Sequence, residues 1–256
     1  MRPGSLLDIP SGAGGYSQAL RELGYTVVSA DLMPPANRIA PLAWVQADAN
    51  QTLPFADASF DYILSREGIE HLENQVGFVR ECARVLRPGG MAVITTPNLM
   101  HLSARLSYLL TGQRNLKRGL VNEVQTLRTS RGVHLYHGHV FMIDYFRLRY
   151  LLRLAGFDDL AVHTDSYSPT SIAMSPCAPL LWAASRYSVR TAARNGRRKG
   201  YPVAPATVTD QIIEHMHSPA MLFGKRMIVT ARRIDPAESA SRPPNRHHGR
   251  ARRCGR

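Results

Sequence analysis

A chain of 256 residues, 44% hydrophobic and 20% charged, is long enough for one sizeable core, and its composition excludes a collagen-like or wholly disordered protein. Cys82, Cys177 and Cys254 are odd in number and lack a CxxC spacing, which excludes a disulfide framework and fits a reducing compartment. The net charge is +13, but it is uneven: residues 1–100 hold 7 Lys and Arg against 10 Asp and Glu, whereas the rest hold 25 against 9.

The first hundred residues alternate short β-rich runs with helical patterns, which predicts parallel βαβ units. Strands are expected at 5–9 (SLLDI), 26–31 (TVVSAD), 43–48 (AWVQAD), 60–65 (FDYILS) and 91–96 (MAVITT). Helices are expected at 14–23, ending at Gly24, and at 74–86, where RPGG closes an apolar stripe. Residues 98–140 break the alternation with a basic, partly amphipathic insertion whose best helix is HLSARLSYLL. A helix over 144–157, a strand DLAVHTD, a second, irregular insertion over 166–220 and a last strand at 222–233 follow. The folded domain is thus expected over 1–233, and the Arg-, Pro- and His-rich 234–256 as a basic disordered tail. No run reaches the roughly 18 apolar residues of a membrane span, and the opening residues leave no room for a signal-peptide core, so a cytoplasmic location is expected.

LLDIPSGAGGYS reads as a strand, a tight glycine turn and a helix start. Gly12 and Gly14 can adopt backbone conformations closed to other residues and let a ligand approach the main chain. In an open parallel sheet, ligands bind beyond the carboxyl ends of the strands. Asp31, ending the second strand 19 residues after Gly12, suits the two hydroxyls of an adenosine ribose, although a helix cap would also use it. Asp48 is a third acidic strand end. A dinucleotide site has no general need of it, whereas an adenine amino group beside that strand would.

With these residues the sequence resembles the class I S-adenosylmethionine-dependent methyltransferases. LLDIPSGAGGYS, VVSADLMP, ADANQTLPFADASFDYILS and ECARVLRPGGMAVITTPN carry the resemblance in the right order. It implies a doubly wound, Rossmann-like α/β fold: a seven-stranded, mostly parallel sheet with an antiparallel last strand and helical insertions. It also implies that Asp8, Gly12 and Gly14 shape the pocket for the methionine part of the cofactor. Asp31 and Leu32 would meet the ribose, Asp48 and Ala49 the adenine, and Ser65 would line the floor. The chain departs from the family at Pro10, where the first glycine of the turn usually stands; proline serves there if no N–H donor is needed. Family members also usually carry helices ahead of the first strand that cover the cofactor, a task the two insertions would take over unless the true start lies upstream.

SREGIEHL places Glu67, Glu70 and His71 at helical offsets of zero, three and four, hence on one face of the helix expected from Arg66. Read alone, this face is two solvated carboxylates beside a packing or capping imidazole. It also resembles the E-x-x-E-H triplet of the ubiquinone-biosynthesis O-methyltransferases and of the small-RNA 3′-end 2′-O-methyltransferases. There, such a triplet joins a later histidine to bind a divalent metal beside the acceptor hydroxyl. The matching histidine is His139, with His134 and His137 as rivals. Glu67, Glu70, His71 and His139 would suit Mn²⁺, Fe²⁺ or Zn²⁺ better than Mg²⁺. Without metal, His71 or His139 is the candidate general base.

The favoured reading is therefore methylation of a hydroxyl on a small-molecule or lipid-linked acceptor. The insertions couple apolar to basic stretches, which fits either helices capping the site or peripheral contact with an anionic membrane. RNA methylation has the basic half in its favour and the absence of an RNA-binding module against it. A catalytically silent, methyltransferase-like binding protein is a third reading. An NAD-dependent dehydrogenase is the most distant, since its third glycine would be Ser17 and Asp48 would have no task.

Overall fold

The computed structural model describes residues 2–34, 43–114, 126–128, 134–136 and 139–235. The expected tail, from residue 236 onward, lies outside them. β1 (Ser5–Asp8), β2 (Thr26–Asp31), β3 (Ala43–Gln46), β4 (Phe60–Arg66) and β5 (Leu86–Pro97) are parallel. A short hairpin, β6 (Thr126–Arg128) and β7 (His134–Tyr136), forms a sheet of its own. β8 (Phe157–His163) and β9 (Arg226–Arg233) complete the main sheet in the order β3-β2-β1-β4-β5-β9-β8. β9 runs antiparallel to both neighbours, as the expected last strand does. The order reverses between β1 and β4, and ligand crevices of such sheets lie outside that reversal.

Helices cover both faces. α1 (Gly15–Glu22) follows β1 and α2 (Gln75–Val85) follows β4. α2 begins where the Asn74 side chain accepts from Gly77 N–H, and it buries Phe78, Val79, Cys82 and Val85. After α3 (Leu102–Thr111), α4 (Tyr145–Leu154) starts at the Asp144 cap and buries Tyr145, Leu148 and Leu152, the i, i+3, i+7 spacing of one apolar face. Central strands are buried on both sides, so Leu7, Ile63, Ala92 and Ile94 are fully enclosed.

Three expectations change. β5 begins at Leu86 rather than 91, because Leu86 already pairs with Phe60 of β4, and RPGG fills the register shift before Met91 pairs with Tyr62. No α-helix begins at Arg66: β4 runs through Arg66, and a single 3₁₀ turn spans Ile69–His71. The second insertion is regular rather than irregular, comprising α5 (Pro169–Ala173), α6 (Ala178–Arg198), α7 (Ala206–Met216) and α8 (Pro219–Phe223).

Candidate functional site

The site is built at the carboxyl ends of the central strands. Asp8, 1% exposed, closes β1, and its Oδ2 accepts from Ser17 Oγ at 2.5 Å, which in turn accepts from Ser29 Oγ at 2.8 Å. Burial pushes the Asp8 carboxyl up to about 6 against the opposing pull of the Ser17 hydrogen bond. Asp8 therefore lies beneath the turn and holds the start of α1, so it can shape the pocket only through the backbone. Gly12 and Gly14 both have positive φ, +53° and +86°, as the turn requires. Gly12 N–H donates to Asp31 Oδ2 at 2.8 Å, which joins the turn to the end of β2. Pro10 follows a cis bond, and its ring packs on Gly68, where an added Cβ would lie 2.3 Å from the Pro10 Cδ.

Leu32 and Asp48 are half-buried, and Ala49 and Ser65 are buried. Asp48 Oδ1 accepts from Asn50 N–H at 2.8 Å, and Ser65 Oγ has no hydrogen-bond partner among the described residues. The expected adenosyl contacts thus end three neighbouring strands, in register: Asp8 is aligned with Ser29 of β2 and with Leu64 of β4, and Asp31 with Gln46 of β3.

Beyond β4, Glu67 turns the chain at φ +48°, and His139 sits at φ +60°. Such conformations are uncommon for residues other than glycine and tend to collect at functional sites. Glu70, His71 and His139 converge, with ligand atoms all within 4.8 Å of one another. Glu70 is fully buried, and among the described residues neither of its carboxylate oxygens accepts a hydrogen bond; His139 Nδ1 stands 3.4 Å from Oε1. The His71 and His139 rings lie 5.0 Å apart at 46°. Gln75 Nε2 donates to the carbonyls of both Ile69 and Phe141, and Phe141 N–H donates to Glu70 O, which pins the loop of His139 to the 3₁₀ turn.

Glu67 departs from the expected set of four. Its Oε1 accepts from Thr95 Oγ1 at 3.3 Å and lies 3.9 Å from Arg226 Nε, so it faces β5 and β9 instead of joining the other three. Burial, then repulsion from Glu70, raises its carboxyl above the ordinary range, against the pull of Arg226. His134 lies in β7 with its side chain outside the described residues, as does His137 altogether. A buried carboxylate without hydrogen bonds beside two imidazoles is a donor set that fits Mn²⁺, Fe²⁺ or Zn²⁺.

Several neighbours of the site escape sequence reasoning. Arg226 also pairs with Asp165, and the Arg66 guanidinium lies 4.2 Å from the centroid of the Tyr16 ring at the start of α1. Gly68, a glycine two residues beyond β4, carries a signal that is legible in the sequence.

The profile of a family described as "Methyltransferase domain" matches residues 7–94. A ubiquinone biosynthesis O-methyltransferase of Parvibaculum lavamentivorans is 30% identical over 147 residues, 50% of this chain and 58% of that protein. A demethylmenaquinone methyltransferase of Beutenbergia cavernae is 39% identical over 99 residues, 36% of this chain and 41% of that one. The chain spans about half the length of the curated relatives it matches. A crystal structure of a SAM-dependent methyltransferase from Archaeoglobus fulgidus shares the fold, with a TM-score of 0.52 at 15% identity over 90% of this chain and 86% of that one. Residues 7–94 thus match a methyltransferase domain, and the sheet has the fold of a SAM-dependent methyltransferase.

Proposed function

We propose that the chain transfers the methyl group of S-adenosylmethionine to a hydroxyl of a small-molecule or lipid-linked acceptor seated beside His71 and His139. The observation that carries this reading is the Glu70, His71 and His139 cluster, one turn beyond the strand that flanks the glycine turn. The names of the relatives, quinone methyltransferases among them, support an acceptor of that class.

In this reading Gly12 and Gly14 bring the main chain against the methionine part of the cofactor. Asp31 and Leu32 meet the ribose, Asp48 and Ala49 the adenine, and Ser65 lines the floor. The acceptor oxygen attacks the methyl carbon in line, and the C–S bond breaks with its electron pair returning to sulfur. Without a metal, the hydroxyl proton passes to an imidazole nitrogen of His71 or His139. The sulfonium methyl is already a strong electrophile, so holding the oxygen in line at about 3 Å supplies much of the acceleration. A divalent metal ion, when bound by Glu70, His71 and His139, would lower the pKa of the acceptor hydroxyl. Glu67 then orients the turn through Thr95 and Arg226.

The test is transfer of labelled methyl to lipid extracts, small-molecule extracts and RNA from cells. Label in an extractable lipid or small molecule, lost in His139→Ala, is expected. Label confined to RNA overturns the acceptor class. Full activity of Glu70→Ala and His139→Ala in excess chelator removes the metal.

A further inference from the structure

α6 is 21 residues long and has no buried residue. Its inner side follows Leu181, Ser185 and Val189, which are half-buried, while Leu180, Tyr187, Arg194 and Arg198 form an outward stripe at helical spacing. The stripe changes character along its length. Along its first half Leu180 and Tyr187 are each 74% exposed. At the last turns Arg190, Arg194, Arg197 and Arg198 all face solvent. No acid occurs between Asp165 and Asp210, and Asp210 pairs with Arg186, which also lies 5.0 Å from the centroid of the Trp182 ring.

Apolar exposure continues onto the adjoining elements. α5 leads through a 3₁₀ turn into α6, and α3 packs against α5. Ile172 of α5 is 49% exposed, and Leu109 and Leu110 at the end of α3 are 81% and 72% exposed. Exposed apolar side chains beside a run of cations on one helix face mark an interaction surface. The arginines specify an anionic partner, and Leu180 with Tyr187 on the same stripe specify one with an apolar interior. A nucleic-acid backbone would satisfy the first requirement only.

We propose that the outward face of α6 docks on an anionic phospholipid bilayer. Leu180 and Tyr187 enter the headgroup boundary, and the arginines of the last turns contact lipid phosphates. This docking is independent of methyl transfer. It would bring a lipid-dissolved acceptor to the enzyme, a consequence that alone rests on the proposed function.

The test uses the full chain without cofactor, sedimented with vesicles of phosphatidylcholine or of phosphatidylcholine and phosphatidylglycerol in equal parts. Binding to the anionic vesicles, weakened by salt and absent on neutral ones, is expected. Replacing Arg190, Arg194, Arg197 and Arg198 by Gln should lower partitioning by roughly a hundredfold or more, whereas replacing all four by Lys should leave it within severalfold. Unchanged circular dichroism and melting temperature of both variants confirm that they fold. The basic residues from Arg232 onward are common to all three proteins and cancel in the comparison. Equal binding to both vesicle types, or unchanged binding of the Gln variant, overturns the proposal. So does retention of RNA through these arginines by a protein that ignores the vesicles. S-adenosylhomocysteine calorimetry in solution, run beside it, reports separately on the cofactor cradle.

Discussion

His139 Nδ1 stands 3.4 Å from Glu70 Oε1, and the fully buried Glu70 carboxylate accepts no hydrogen bond from the described residues. An acceptor group taken out of water without a donor is costly, and a cation between Glu70, His71 and His139 would relieve that cost. Adding Mn²⁺ or Zn²⁺ to chelator-treated protein should therefore raise its melting temperature. At a hundredfold excess over the dissociation constant the gain is about 2.7 kcal/mol, or roughly 5–10 °C for a domain of this size. Glu70→Gln should show none of this response. Identical melting curves of the parent protein with metal and with chelator would dispose of the site.

The buried Asp8 predicts a second measurable property. Its carboxyl is pushed up to about 6 in the fold, from an ordinary value near 3.8, chiefly by burial. The folded protein thus holds this proton more tightly than the unfolded chain does. The resulting stabilisation is present below about pH 4 and is lost as pH rises through about 6, a change of about 3 kcal/mol. Asp8→Asn can still accept from Ser17 but cannot ionise. Its urea unfolding free energy should stay flat from pH 4 to 7 while that of the parent protein declines, after other groups common to both are subtracted. Parallel profiles would remove Asp8 from the account.

Gly12 N–H and the ribose would share one carboxylate, that of Asp31. Asp31→Ala removes a charged acceptor from both. Hydrogen bonds to charged groups contribute about 1.5–3 kcal/mol, so affinity for S-adenosylhomocysteine should fall roughly ten- to hundredfold in calorimetry. An unchanged affinity would mean that the adenosyl group lies elsewhere.

These outcomes bear on what a sequence makes legible. The strands and the glycine turn could be read because parallel strands are continuous apolar runs and because Gly12 and Gly14 stand where positive φ is needed. Glu67, Glu70 and His71 could not be placed correctly by spacing. Their offsets match a helical face, yet the chain reverses at Glu67, whose partners Thr95 and Arg226 are 28 and 159 positions away. His139 was reached only through family likeness, since nothing local ties it to residue 70. Pro169, Pro176, Pro179 and Pro219 look like breaks, but each occupies the first turn of a helix, where a missing N–H costs nothing.

Gly68 offers the sharpest test of how the turn is held. Its φ is −118°, open to any residue, so its smallness serves space and not conformation. A Cβ there would come within 2.3 Å of Pro10 Cδ and 2.5 Å of Cγ, both in a rigid ring. Gly68→Ala should therefore destabilise by about 1–3 kcal/mol, the usual cost of overpacking. Because Gly68 joins Glu67 to the 3₁₀ turn, the same displacement should weaken the metal response of Glu70 and His71. Removing the ring restores the room. In a double-mutant cycle, Gly68→Ala on a Pro10→Gly background should cost at least about 1 kcal/mol less than on the parent background. Strictly additive effects in urea unfolding would show that the two residues do not meet, and that something other than the Pro10 ring sets the path from β4 to His71.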